Sequence, residues 1–220
     1  MPPYVRAALV LGAAVGVFGV SFGVLAVTSG LTVAQATVMS LLVFTGASQF
    51  AAVGVAAAGG AMASAVASAL LLAARNGVYG VALAPTLRHR LAVRLVAAQL
   101  VIDESTALAT AQPDRRHRVG AFWATGASVF AFWNLGTFVG AAAGRGIGDP
   151  AALGLDAAFP AGFIALLAPQ LRTPDGRVAA LLGGAVALVL LPLTPVGTPI
   201  IAAAGATLAV AAGRPRQDRS

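Results

Sequence analysis

Apolar residues dominate the chain from Ala7 to Ala74, and no charged side chain stands between Arg6 and Arg75. As one helix those 68 residues would reach about 100 Å at 1.5 Å per residue, whereas a bilayer crossing takes about 20 residues, so the run must fold back on itself. Turn residues at Thr28-Ser29-Gly30 and Gly59-Gly60 divide it, and the pattern predicts helices over 7–28, 33–57 and 61–86. The segment 91–111 is less apolar and carries Asp103 and Glu104 side by side. After an Arg cluster at 115–118 come predicted helices at 119–143, 151–171, 177–192 and 196–212. Pro192, Pro195 and Pro199 separate the last two, which read as a broken hairpin or as two spans. The expected fold is all-α: a polytopic transmembrane bundle of about six to seven helices. It forms one transmembrane domain over 1–213, followed by a polar tail at 214–220.

The glycines suggest an internal repeat. Gly19-x-x-x-Gly23 matches Gly136-x-x-x-Gly140, and each is followed by a Gly-Leu pair, Gly30-Leu31 and Gly154-Leu155, that opens the next apolar run. These runs end near Gln49 and Gln170, which outlines halves at 7–90 and 119–195. Gly-rich membrane helices also produce such matches by chance, because small residues are what lets helices approach in lipid. If 91–111 does not cross, three helices precede the second half and the halves are inverted, a recurrent plan of secondary transporters. The strong Arg clusters then share one face and Arg6 and Arg145 lie opposite, with the N-terminus outside. If 91–111 crosses, clusters 88–94 and 115–118 are split between the two faces, against the positive-inside rule.

Composition excludes the alternatives to a membrane protein. Of 220 residues 59% are hydrophobic and only 10% charged, with a mean hydropathy of +0.89. Soluble domains carry about 25% charged residues, and a chain this short has too little interior to hide so much apolar surface. The net charge of +7 comes from short Arg clusters between apolar runs and forms no continuous basic face, so a nucleic-acid partner is not implied. Cysteine is absent, which removes disulfide and thiolate chemistry. The two histidines, His89 and His117, both sit in Arg-rich connections, and no spacing suits a metal site or a hydrolytic Ser–His pair. The glycines of Gly144-Arg145-Gly146-Ile147-Gly148 follow a membrane helix and not a strand, so a phosphate loop is not supported. Neither a cofactor nor an enzymatic activity is expected.

Polar groups within the apolar runs are the informative ones, since each is costly in lipid without a partner. Arg75 in Arg75-Asn76-Gly77-Val78-Tyr79-Gly80 lies about 21 Å along a helix begun at Ala61. A central Arg costs about 2.5–3.5 kcal/mol to insert. An acidic partner, backbone carbonyls or the carboxylate of a substrate would offset that cost; alternatively Arg75 snorkels to an interface. Asp103 and Glu104 are the natural counter-charges, unless the pair simply marks the membrane boundary. Adjacent helical residues point about 100° apart, so one can pair with Arg75 while the other faces a cavity. Thr45-Gly46-Ala47-Ser48-Gln49-Phe50 is a second polar island: either ordinary helix-packing polarity or a place where the helix unwinds to expose backbone groups. Asp156 reads as a first-turn carboxylate, and Trp123 suits an interfacial belt.

Several of these stretches together resemble the AzlC family of branched-chain amino-acid exporters. They are Ser21-Phe22-Gly23 through Gly30-Leu31, Met39 through Phe50, Arg75 through Tyr79-Gly80, Asp103-Glu104-Ser105, Trp133…Gly136-Thr137…Gly140 and Gly154-Leu155-Asp156. The resemblance extends over nearly the whole chain to residue 195. It implies a multi-pass permease of the bacterial plasma membrane that exports valine, leucine, isoleucine or related compounds. It also implies a partner, a small AzlD-type membrane subunit of about four spans. The chain departs from the family pattern at Asn76, where His is usual.

The expected function is secondary efflux of a hydrophobic amino acid, driven by the proton gradient. Arg75 holds the substrate carboxylate, with Asn76 and Tyr79 beside it. Thr45, Ser48 and Gln49 bind polar groups, and Asp103 or Glu104 balances Arg75 and exchanges a proton. Gly19, Gly23, Gly136 and Gly140 pack helices. The alternative is a non-transporting membrane subunit that stabilises or regulates a partner permease.

Overall fold

A computed structural model of the chain describes residues 1–87, 90–146, 164, 167, 168 and 170–213. Among these residues the regular structure is helical: α1 Pro3–Thr28, α2 Val33–Leu42, α3 Ala47–Ala57, α4 Met62–Leu83, α5 Leu91–Gln99, α6 Asp103–Thr110, α7 Arg115–Gly144, α8 Pro174–Leu190 and α9 Thr198–Gly213. A short 3₁₀ turn, Gln170–Arg172, precedes α8. By length and apolar composition α1, α4 and α7 can each cross a bilayer. Most of the predicted helix at 151–171, with Gly154, Leu155 and Asp156, the connection residues Arg88 and His89, the Gly148-Asp149-Pro150 stretch and the tail 214–220 lie outside the described residues.

Among the described residues the helix count exceeds the expected six to seven: the predicted helix 33–57 is broken in two, and the less apolar segment 91–111 forms two short helices of its own. The first, 33–57, stops at Leu42 and resumes at Ala47. Gly46 stands between them at φ 52°, a conformation open to glycine at little cost. The second, 91–111, is interrupted at Leu100–Ile102. There the amide of Leu100 reaches back to Ala97 O at 2.9 Å, and the Ser105 hydroxyl closes the gap. It accepts from Ile102 N at 3.1 Å and donates to Leu100 O at 2.6 Å. Local caps define the other starts. Thr32 and Gln35 form a reciprocal capping box at α2, with 2.8 and 3.2 Å bonds, and Thr173 Oγ1 accepts from Gly176 N at α8.

The scaffold is the pair α1 and α7, which touch along their whole length. Gly12, Gly16, Gly19 and Gly23 face Ser128, Phe132, Gly136 and Gly140 so closely that side chains are excluded. A Cβ on Gly19 would lie 2.6 Å from Trp133 O, and one on Gly23, Gly136 or Gly140 would run into the facing backbone of Thr137, Gly16 or Val20. Lipid provides no hydrophobic drive for helix association, so this backbone proximity supplies the packing. Phe22 and Trp133 stack across the interface, with ring centroids 6.1 Å apart and planes at 21°.

The two helices run parallel. Tyr4 meets His117 at one end, with ring centroids 6.2 Å apart, and Val24 and Val27 meet Gly144 at the other. This corrects the expectation that the N-terminus lies opposite the Arg115–Arg118 cluster: Arg6 and that cluster share an end. It also means that α1 and α7, equated through their Gly-x-x-x-Gly motifs, are not related by inversion, since inverted counterparts would be antiparallel. The physical reason is a matter of parity. The chain leaves α1 at one face and enters α7 from the other, so residues 29–114 make an odd number of crossings. With α4 crossing, the broken segments α2–α3 and α5–α6 either both cross or both turn back.

The remaining elements pack around this pair. α2 lies on α7 through a Ser40–Thr137 hydroxyl bond of 3.2 Å, and α6 pairs with the first half of α7 beneath Leu100. α3 and α4 form a hairpin, as do α8 and α9. Val196 and Gly197 of the α8–α9 turn meet Val55, Gly60 and Ser64, which places that turn at the α3–α4 end.

Candidate functional site

The two helix breaks meet. Gln99, the last residue of α5, donates from Nε2 to Leu41 O at 2.9 Å and to Leu42 O at 3.3 Å, the free carbonyls at the end of α2. A helix C-terminus has unpaired acceptors and the negative end of the dipole, so one side-chain amide both caps α2 and ties the second break to the first. Four residues beyond Leu42 is Gly46, where α3 is about to start. Four beyond Gln99 is Asp103, the first residue of α6. The starts of two half-helices are thereby brought to the same region.

Arg75 of α4 reaches this junction and forms an ion pair with Asp103, NH1 to Oδ2 at 3.0 Å. Both side chains are largely buried, at 33% and 26% exposure. Arg75 Nε and Asp103 Oδ1 are buried and have no partner among the described residues. Tyr79, one turn along α4, lies beside Asp103, and Glu104 shares the first turn of α6 with it. Asn76 occupies the next position after Arg75 and is half-buried. Gly77 and Gly80 have nothing within 4 Å of where a Cβ would stand; at 100° per residue they lie on the side of α4 away from Arg75 and Tyr79, and that side is open.

On the other side of the junction, Gln49 is fully buried and its Oε1 accepts the Gly46 amide at 3.2 Å. Its Nε2, the Ser48 hydroxyl and the Thr45 hydroxyl are buried without a partner among the described residues. Trp133 underlies this strand of chain. Its ring comes to 3.5 Å from the Cβ position of Gly46, and its indole Nε1 is likewise buried and unpartnered. Phe22, Phe50 and Trp133 form an aromatic floor, with Phe22–Phe50 edge-to-face at 5.4 Å. The arrangement is a polar patch of opposed charge and unsatisfied donors set beside apolar and aromatic side chains.

Of the residues singled out in the sequence, Arg75, Tyr79, Asp103 and Glu104 come together, and Thr45, Ser48 and Gln49 gather at the α3 start. Gly19, Gly23, Gly136 and Gly140 are elsewhere, in the α1–α7 contact. Two participants were missed, Gln99 and the Trp133 indole. A lone amide four residues before an acidic pair was the available signal for Gln99, but its partners are 57 and 58 residues away in sequence. Outside the spans, Asp114 caps α7 by accepting from His117 N at 3.0 Å and meets His117 Nδ1 at 2.6 Å; these bonds hold its carboxyl below the usual aspartate value.

Comparison with known proteins places the chain in a family. The family model described as AzlC protein matches residues 10–147, which include both breaks and the α1–α7 pair. The inner membrane protein YgaZ of Escherichia coli (strain K12) is 34% identical over 191 residues, covering 80% of this chain and 76% of that protein. No solved structure matches the chain significantly. With the family model covering more than half of the chain, the protein belongs to the AzlC family, a family of transport-related membrane proteins.

Proposed function

We propose that the chain is a secondary transporter of the bacterial inner membrane that exports branched-chain or other hydrophobic amino acids. The observation that carries this reading is the Arg75–Asp103 ion pair at the meeting point of two broken helices. Broken helices at mid-membrane leave backbone groups and dipole ends facing a cavity, which is how secondary transporters hold charged substrates. A buried ion pair is weak evidence for stability, and a bundle this apolar has no structural need of one. Amino-acid transport does need both signs of charge. Family membership and the inner-membrane location in the relative's name support the same reading. Glu104, beside the pair and without a salt bridge among the described residues, is the group suited to exchange the coupling proton.

Charge distribution supports an orientation. If both broken segments turn back, Arg6, Arg90, Arg94, Arg115, Arg116 and Arg118 share one face; if both cross, Arg90 and Arg94 move to the other. The positive-inside rule favours turning back, with the N-terminus in the cytoplasm. The outward faces of α4 and α8, with Leu70, Val78, Val81, Leu181 and Leu188 exposed, offer surface to lipid and to a small AzlD-type subunit of about four spans. Export of labelled leucine from cells expressing the chain, with and without such a subunit, tests the function. Export only with both would support a two-component exporter. No export under either condition would remove leucine efflux.

A further inference from the structure

The two helix breaks differ in one chemical respect. α6 opens with its own carboxylates, Asp103 and Glu104, in the first turn, whereas α3 opens with Ala47-Ser48-Gln49 and has none. First-turn amides lack intrahelical acceptors and form the positive end of the helix dipole. At α3 the Phe50 amide is the first to find one, Gly46 O at 3.1 Å. The amides of Ala47, Ser48 and Gln49 before it have none among the described residues.

Two side chains add to this set. Ser48 and Gln49 are 1% and 0% exposed, and Ser48 Oγ and Gln49 Nε2 have no partner among the described residues. Gln49 cannot turn away, because its Oε1 is held by the Gly46 amide at 3.2 Å; the carboxamide lies over the helix start with Nε2 as a donor. The site therefore concentrates backbone amides, a hydroxyl and a carboxamide N–H at a dipole's positive end, with no carboxylate in the first turn of α3. Donor sets of this kind at helix starts take carboxylates and phosphates. Arg75, the obvious competitor, is already engaged by Asp103. Along the α3–α4 hairpin, Gly46 lies about 16 Å and Arg75 about 20 Å from the connecting turn at 1.5 Å per residue, so the two are at similar depth.

We propose that the N-terminus of α3, with Ser48 and Gln49, is the receptor for the carboxylate of the transported amino acid, while Asp103 and Glu104 face its ammonium group. Arg75 then acts as a positioning residue that holds Asp103. The assignment rests on the amino-acid reading above and reverses the polarity expected from sequence, in which Arg75 took the carboxylate.

The test is binding of labelled L-leucine, competed by L-leucinamide, to the purified full chain in nanodiscs, co-expressed with its small subunit where that is needed for stability. Gln49→Glu keeps an oxygen to accept the Gly46 amide and keeps the side-chain length, but places a negative charge among the donors. It is expected to weaken leucine binding at least tenfold while leaving leucinamide binding within twofold of wild type. Ser48→Ala, which removes one donor without adding charge, should weaken leucine severalfold and serves as the second variant if Gln49→Glu does not insert. Unchanged leucine affinity in the inserted variant overturns the carboxylate site and leaves the transport reading standing. If wild type binds no leucine, 4-methylpentanoate is titrated. Binding of that acid, abolished by Gln49→Glu, keeps the site and discards the amino-acid reading; binding of neither probe overturns both.

Discussion

Removing either member of the Arg75–Asp103 pair leaves the other charged and largely buried, and this perturbation has a magnitude that the geometry bounds. A fully buried pair costs about 3–5 kcal/mol to break by losing one partner, and an exposed pair at most about 1 kcal/mol. At 3.0 Å, with a third of one side chain and a quarter of the other accessible, this pair falls between those limits. Arg75→Gln and Asp103→Asn should therefore each cost about 2 kcal/mol. The double variant replaces two charges by amides that can bond to each other, so its loss should resemble that of one single variant, a coupling of about 1–2 kcal/mol. Thermal unfolding of the purified chain in detergent, followed by the fluorescence of Trp123 and Trp133, gives the four midpoints of the cycle. Losses that simply add would refute the pairing as an energetic unit.

Other consequences are independent of the ion pair. Gly140→Ala forces a methyl into the Val20 carbonyl across the α1–α7 contact and should cost about 1–3 kcal/mol. Gly77→Ala, on an open face of α4, should be neutral or stabilising by up to about 1 kcal/mol; unfolding midpoints of the two variants compare them directly. The Asp114 carboxyl is held below its ordinary value by His117, so its cap should persist above the ordinary aspartate pKa of about 3.9 and disappear as pH falls through the lowered value. The gap in midpoint between wild type and Asp114→Asn should then be present at pH 5 and close as the pH falls below about 4. Since the chain has no cysteine, single cysteines report topology cleanly. Positions 5, 90 and 116 should label from the cytoplasmic face and position 30 from the other. Labelling of 5 and 116 from opposite faces would contradict the parallel α1–α7 pair.

The hydrophobic pattern located α1, α4 and α7 to within a few residues, because charges and turn residues bound their apolar runs. It also singled out Arg75 and the acidic pair, since a charge in lipid demands a partner whatever the fold. The helix break at Gly46 was legible only as an alternative. Gly46 permits a positive φ, but ordinary packing polarity explained Thr45, Ser48 and Gln49 equally well until the Gln49–Gly46 bond was seen. The meeting of the two breaks was not legible, because Gln99 and the Leu41 and Leu42 carbonyls are joined only by tertiary folding. Nor was the direction of α7. A Gly-x-x-x-Gly face shows that two backbones approach, but parallel and antiparallel partners accept it alike. Reading inversion into that motif required counting crossings, and the count depends on broken segments that length alone does not resolve.

The proposed role of the junction of the two broken helices is to carry an amino acid across the membrane. Counterflow of labelled leucine in proteoliposomes containing the purified chain, with its small subunit where required, tests it most directly. Wild type should accumulate label transiently, and an inserted, folded Arg75→Gln variant should not. Accumulation by that variant equal to wild type, or none by wild type above empty liposomes, would contradict that role.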